Sequence, residues 1–378
     1  MGARPASQRR KPHKSTESFK TAGYHAPPFC IVDAMNPAPP RFPAEWEPQS
    51  AILIAWPHAD TDWAERLGEV EETYIALVAA ITRFQPVLVC VADDDLQTYA
   101  EARLRSARVD LSRVRFVPAA YDDTWLRDSG PISLRDGSGF RLLDFRFTGW
   151  GGKFEASLDD QLVEHLDQIG TFLNSARQPI DFALEGGAIE TDGDGSLLST
   201  WQCLHERHPA ASREDITTKL AGWLHQDRVL WLDHGYLEGD DTDAHIDTLA
   251  RFAAPDAIVF QACDDPTDSH YAELKAMGDE IAALRTRDGQ PYRLFPLPWA
   301  KPILDGGRRL AASYANFLII NGAVLMPGYG DEADSRAQAV LADAFPNREI
   351  VVVPCRPLIW QNGSLHCITM QLPQGLVA

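Results

Sequence analysis

A chain of 378 residues with 45% hydrophobic and 24% charged side chains has the composition of a globular protein, long enough to bury a large core without metal or disulfide staples. Its 54 acidic against 35 basic residues give a net charge of −19, which repels nucleic acid overall and attracts small cations. The six cysteines are scattered without a C-x-x-C pair, against zinc ribbons and thioredoxin-like sites, and no apolar run reaches the roughly 18 residues of a membrane helix.

Residues 1–36 are basic (Arg4, Arg9, Arg10, Lys11, Lys14, Lys20) and show no apolar period, so they read as a disordered leader, with Met35 as an alternative start. No hydrophobic stretch of a secretory signal follows them, which together with the scattered cysteines points to a reducing, cytoplasmic setting. From about residue 40, apolar strands alternate with amphipathic helices. Strands are expected at 51–56, 86–92, 114–119, 142–147, 228–232, 257–261, 317–327 and 350–354, each rich in Val, Ile, Leu or aromatics and bounded by turn residues. Helices are expected at 65–83, 96–105, 158–170, 213–224, 271–284 and 332–344; in the first, Val70, Tyr74, Leu77, Val78 and Ile81 form one apolar stripe. The Gly-containing runs at 135–139 and 192–195 read as hairpin turns, and the second lacks the downstream carboxylate of a calcium loop. This makes about five strand-rich modules, each with a helix, in a single α/β domain over 40–378.

Four segments carry candidate chemistry. In Thr124-Trp125-Leu126-Arg127-Asp128-Ser129-Gly130-Pro131, a carboxylate beside a tryptophan suits a cation with an apolar stem; the plain alternative is an Arg127–Asp128 ion pair in a loop. Glu185 precedes Gly186-Gly187, which permits close backbone approach or marks a bulge. His245 and Asp247 stand two apart in an acidic run; in extended backbone both point to one face, and the alternative is a solvated acidic loop with a structural histidine. Cys367 follows the flexible Asn362-Gly363-Ser364 and is either a small buried hydrophobe or a nucleophile. His366 is adjacent, but strand neighbours face opposite sides, so a base for Cys367 must come from elsewhere. Together, one thiol, one imidazole and several carboxylates suit attack on a positively charged carbon.

These segments in this order resemble the agmatine deiminase and bacterial peptidylarginine deiminase family: W-L-R-D-S-G-P (Trp125–Pro131), L-E-G-G-A-I-E (Leu184–Glu190), D-T-D-A-H-I-D (Asp241–Asp247) and N-G-S-L-H-C-I-T-M-Q (Asn362–Gln371). P-A-E-W-E-P (Pro43–Pro48), A-W-P (Ala55–Pro57), F-T-G-W-G-G-K-F (Phe147–Phe154) and S-Y-A-N-F (Ser313–Phe317) fit as well, so the resemblance runs from about residue 40 to the end. Asn362 replaces a Gly of some members, and Asp243-Ala244 replaces an Asn-Gly common before the His, which loosens the substrate more than the reaction.

The resemblance implies the pentein fold, a five-bladed α/β propeller of ββαβ-like units around a pseudo-fivefold axis. It implies hydrolysis of agmatine to N-carbamoylputrescine and ammonia in putrescine biosynthesis. Cys367 would be the nucleophile, His245 the acid/base, Asp128 and Asp247 the guanidinium clamps, and Glu185 the group that orients His245. Trp125, Arg127, Asn316, Asp243 and Gly363 would bind substrate. No cofactor or metal is implied, and the partner is a small cationic guanidine, without nucleic acid or membrane; homo-oligomerisation stays open. A peptidylarginine deiminase is the alternative, with Arg146 available for an arginine carboxylate; an amidinotransferase is more distant.

Overall fold

The computed structural model describes residues 39–378; the reading of residues 1–36 as a disordered leader lies outside the described residues. Four stretches repeat one pattern: an antiparallel hairpin, a helical return, and a third strand parallel to the second. Ile132–Asp136 and Gly139–Arg146 pair antiparallel, and after helix Leu162–Gln168 the strand Ser175–Ala183 runs parallel to the second. The pattern recurs in Glu190–Thr191, Ser196–Thr200 and Arg228–Leu232. It recurs again in Ala250–Ala254, Ala257–Gln261 and Arg293–Leu297, and in Leu318–Ile320, Ala323–Gly328 and Glu349–Pro354. A parallel partner needs a long crossover, and the helices Arg213–Leu224, Tyr271–Ala283 and Ala333–Ala344 supply it.

The fifth sheet is assembled from both ends of the described chain. Gln49–Ala55 pairs antiparallel with Met370–Pro373 and parallel with Val87–Val91, and Val114–Pro118 adds the outer strand. This pairing brings the Cys367 segment back to the first strand. The short hairpin Leu304–Asp305/Arg308–Arg309 forms a sixth sheet.

Strands Arg228–Leu232 and Ala257–Gln261 and helix Arg213–Leu224 match the ranges expected from the sequence. The single strand expected at 317–327 is two strands, folded back at Asn321-Gly322, where Gly322 takes φ +76. Strands Ser175–Ala183 and Arg293–Leu297 were not expected; each holds a proline (Pro179, Pro296), which an edge strand tolerates. The inner strands Val87–Val91 and Ala323–Gly328 are buried throughout, as parallel-paired strands covered by helices must be.

Beneath the apolar layers lies a network of buried charge. Arg251, with no exposed surface, donates from Nε to Glu190 (2.7 Å), from Nη2 to Glu45 (3.0 Å) and from Nη1 to the Phe317 carbonyl (2.7 Å). Glu45 accepts the Ile319 amide at 2.7 Å, meets His366 Nε2 at 2.8 Å and faces Arg127 Nη2 at 3.5 Å. Burial alone would raise the Glu45 pKa; Arg251, His366 and Arg127 overrule it and hold the carboxyl well below the usual range. The network ties together segments from six regions of the chain. Arg251→Leu leaves Glu45 and Glu190 buried without their shared cation, so urea denaturation should show a loss of about 3–5 kcal/mol; stability equal to the wild type would contradict this reading.

Candidate active site

The site lies at the floor of a cavity of about 750 Å³ whose lining includes Trp125, Asp128, Trp150, Gly363 and Cys367. Each element delivers its side chain for a local reason. Asp128 sits in the one-turn helix Leu126–Ser129, whose Asp128 N–H bonds the Trp125 carbonyl. Its carboxylate is held from both sides: Oδ1 accepts the Gly187 amide at 2.9 Å, and Oδ2 accepts Trp150 Nε1 at 3.0 Å. His245 and Asp247 are not on extended backbone as expected. His245 caps the 3₁₀ turn Ile246–Thr248, and both side chains are buried. Cys367 also lies in a turn rather than a strand, just ahead of Met370–Pro373.

Asp247 Oδ2 accepts from His366 Nδ1 at 2.7 Å and lies 3.7 Å from Cys367 Sγ. His366 therefore points at Asp247 and Glu45 and serves the thiol only through them. His245 lies between two carboxylates, with Nδ1 3.6 Å from Asp128 Oδ1 and Nε2 3.6 Å from Glu185 Oε2. Glu185 is fully buried, not exposed on a strand edge, and its Oε1 accepts Arg207 Nε at 2.7 Å. Both ring nitrogens of His245, Glu185 Oε2 and Asp247 Oδ1 have no hydrogen-bond partner among the described residues.

Gly187 is where the three groups converge. A Cβ there would stand 2.7 Å from Asp128 Oδ1, 2.7 Å from His245 Nδ1 and 3.2 Å from Asp247 Oδ2. The glycine leaves this space to the functional side chains while its amide holds Asp128. Gly363 plays a similar part at the wall: a Cβ would lie 2.2 Å from the Trp125 ring.

The electrostatics follow from burial. Burial, then Asp247 and Glu185, push the Asp128 pKa up to about 6 against the pull of His245 and Trp150. Burial opposes charge on His245, but Asp128, Cys203 and Glu185 outweigh it and raise the imidazole well above its ordinary value. The Cys367 thiol is pushed well up by burial, then by Asp247 and Asp128. The free site thus combines a cationic imidazole with a protonated thiol, and an added cation between the carboxylates would draw the thiol toward its thiolate.

Of the residues expected to catalyse, Asp128 and Cys367 line the cavity, whereas His245, Asp247 and Glu185 are fully buried and do not; of the five expected to bind substrate, three do not line it. Arg127 turns away: its Nη1 donates to Gln371 at 2.6 Å and its Nη2 faces Glu45. Asp243 is occupied by Lys153 (2.7 Å) and Arg207 (2.6 Å). Asn316 instead holds the Cys367 segment, its Oδ1 accepting the His366 amide at 2.9 Å and the Cys367 amide at 3.4 Å. Trp125 and Gly363 do line it. Arg146 pairs with Asp181 and lies outside the lining. Sequence reasoning missed Trp150, Gly187, Arg207 and Glu45, although all but Arg207 fall inside the motifs that carry the resemblance.

The sequence profile of the Porphyromonas-type peptidyl-arginine deiminase family matches residues 41–373. An agmatine deiminase of Stutzerimonas stutzeri is 34% identical over 361 residues, covering 89% of this chain and 96% of that protein. A structure from Porphyromonas gingivalis, described as a candidate arginine deiminase, is 44% identical with a TM-score of 0.83, covering 90% of this chain and 100% of that one. The C. jejuni agmatine deiminase with substrate bound is 34% identical with a TM-score of 0.83, covering 89% of this chain and 97% of that one.

Two outcomes follow from the geometry. The methyl group of Gly187→Ala displaces Asp128 or His245, so kcat/KM on a guanidine substrate falls roughly a hundredfold with the fold retained by circular dichroism; unchanged kinetics would refute the convergence at Gly187. A raised thiol pKa leaves thiolate scarce at neutral pH. Peptide mass spectrometry should therefore find iodoacetamide alkylation of Cys367 slow there and still climbing past the ordinary value of 9.0, whereas a plateau near neutrality would contradict the raised pKa.

Proposed function

Since the chain belongs to the Porphyromonas-type peptidyl-arginine deiminase family, we propose that it is an agmatine deiminase, a hydrolase acting on the C–N bond of a linear amidine, built as a five-unit pentein ring. The observation that carries the choice of agmatine is the charge of the cavity above Cys367. Asp60, Asp62, Asp122, Asp123, Glu155 and Asp159 line it beyond the reacting groups. Its two cations are already engaged: Lys153 with Asp243 and the Asp241 carbonyl, and Arg308 with Asn362 and the Trp360 carbonyl. A distal ammonium is attracted by such a wall, and an α-carboxylate is repelled. Burial pushes Asp123 up to about 7 and Asp159 up to about 8, and a bound ammonium would favour their ionised forms. From the acidic run Glu238–Asp243, Asp241 and Thr242 also line the cavity.

In the proposed reaction, Asp128 and Asp247 accept the guanidinium N–H groups and hold its central carbon near Cys367 Sγ. The bound cation lowers the thiol pKa, the thiol releases its proton to solvent, and the thiolate adds to the carbon to give a tetrahedral adduct. Cationic His245 donates a proton to the departing nitrogen, which leaves as ammonia, and an amidino-cysteine remains. Neutral His245 then takes a proton from water, whose oxygen adds to the same carbon; the C–S bond breaks and the ureido product departs. Glu185, fixed by Arg207, keeps the imidazole oriented and favours its cation. The five described cysteines, Cys90, Cys203, Cys263, Cys355 and Cys367, are free thiols, which supports action in a reducing cytoplasm, where hydrolysis of agmatine would feed putrescine biosynthesis.

A second reading, peptidylarginine deimination, draws on the match of residues 41–373 to the Porphyromonas-type peptidyl-arginine deiminase family. Ureido product measured side by side from agmatine, free arginine and a peptide ending in arginine separates the two. Agmatine should lead free arginine by about a hundredfold in kcat/KM, the effect of roughly 3 kcal/mol of like-charge repulsion; preference for the peptide or arginine would overturn the assignment.

A further inference from the structure

We propose that Glu185, Cys203 and His245 form a binding site for a thiophilic divalent cation, with zinc(II) as the type, and that filling it arrests turnover. The binding stands on geometry alone; the arrest rests on the acid/base role given to His245 above.

Cys203 lies on the helix Trp201–Arg207, is fully buried and does not line the cavity. The reaction described above uses only Cys367, so Cys203 is a second thiol beside the site without a part in it. One donor atom from each of Glu185, Cys203 and His245 lies within 4.8 Å of the other two. Glu185 Oε2 and both ring nitrogens of His245 are buried without a hydrogen-bond partner among the described residues. An orphaned buried polar atom is destabilising, and a ligand that satisfies it relieves that penalty. Arg207 holds the other Glu185 oxygen at 2.7 Å and so fixes the direction of Oε2.

The dimensions suit zinc. Bond lengths of about 2.0–2.3 Å in a tetrahedron set ligand atoms roughly 3.3–3.8 Å apart, and His245 Nε2 lies 3.6 Å from Glu185 Oε2. Thiolate, imidazole and carboxylate together select zinc over magnesium or calcium and leave a fourth position for water. Asp128 both lines the acidic cavity and lies 3.6 Å from His245 Nδ1, so cations concentrated in the cavity reach the cluster's edge. On binding, the Cys203 thiol and the His245 imidazolium each release one proton to solvent, and the freed ring nitrogen donates its lone pair to the metal. The imidazole then has neither the freedom nor the proton to serve the departing ammonia.

The test uses the full-length protein, cobalt(II) as the spectroscopic probe and zinc(II) as the inhibitor. A thiolate-to-cobalt charge-transfer band should appear in the wild type and in Cys367→Ala, and vanish in Cys203→Ser. The zinc concentration for half-inhibition should rise roughly tenfold or more in Cys203→Ser, measured against that variant's own metal-free rate. Chelation should restore the wild-type rate. A band that survives in Cys203→Ser but is lost in Cys367→Ala, or no band in the wild type, overturns the site. Cys203→Val replaces the serine variant if the latter fails to fold. Absent metal-free turnover of agmatine with the band intact would instead strike the proposed function and leave the metal site standing.

Discussion

The chain's most demanding constraint is the buried contact of Glu45 with His366. Two side chains separated by most of the sequence meet at 2.8 Å, and the same imidazole holds Asp247 at 2.7 Å through its other nitrogen. Charge at this depth is tolerable only because Arg251 and Arg127 balance it. Cys367 is the next residue, and Asn316 grips the amides of both. The position of the thiol is thus inherited from an ion network beneath it. Any slip of the C-terminal strand against Gln49–Ala55 would break the network and misplace the sulfur together.

Two electrostatic regimes are stacked along one axis. Below, carboxylates and guanidiniums are matched and nearly every polar atom is used. Above, the cavity is acidic, and four buried atoms of the candidate site residues have no hydrogen-bond partner among the described residues: His245 Nδ1 and Nε2, Glu185 Oε2 and Asp247 Oδ1. Burial, reinforced by neighbouring negative charge, raises the pKa of Asp128 and Cys367, and the same negative charge raises His245 against the effect of burial. Such a site is incomplete until a cation enters it. In the proposed reaction, a planar cation with several N–H donors would satisfy the orphaned oxygens and draw the Cys367 thiol toward its thiolate in one step.

The strand and helix pattern was largely legible, because buried parallel strands and amphipathic helices leave strong periodic signals. Edge strands with proline were not, and the Asn321-Gly322 hairpin was hidden in one apolar run. The motif segments were legible only as a set. Spacing argued for His245 and Asp247 on extended backbone, yet a 3₁₀ turn presents them. Arg127 and Asp243, charged residues beside candidate site residues, looked like substrate contacts; partners remote in sequence, Glu45 and Gln371 for one and Lys153 and Arg207 for the other, have already claimed them. Cys203, on a helix between Trp201 and Leu204, reads as core, and only three-dimensional proximity to His245 distinguishes it.

The covalent step is open to direct observation. Protein turning over agmatine, quenched in acid and digested, should carry an amidino group on the peptide containing Cys367, and only when substrate was present. The same adduct on Cys203 or another cysteine, or turnover that leaves Cys367 unmodified at every quench time, would contradict the account.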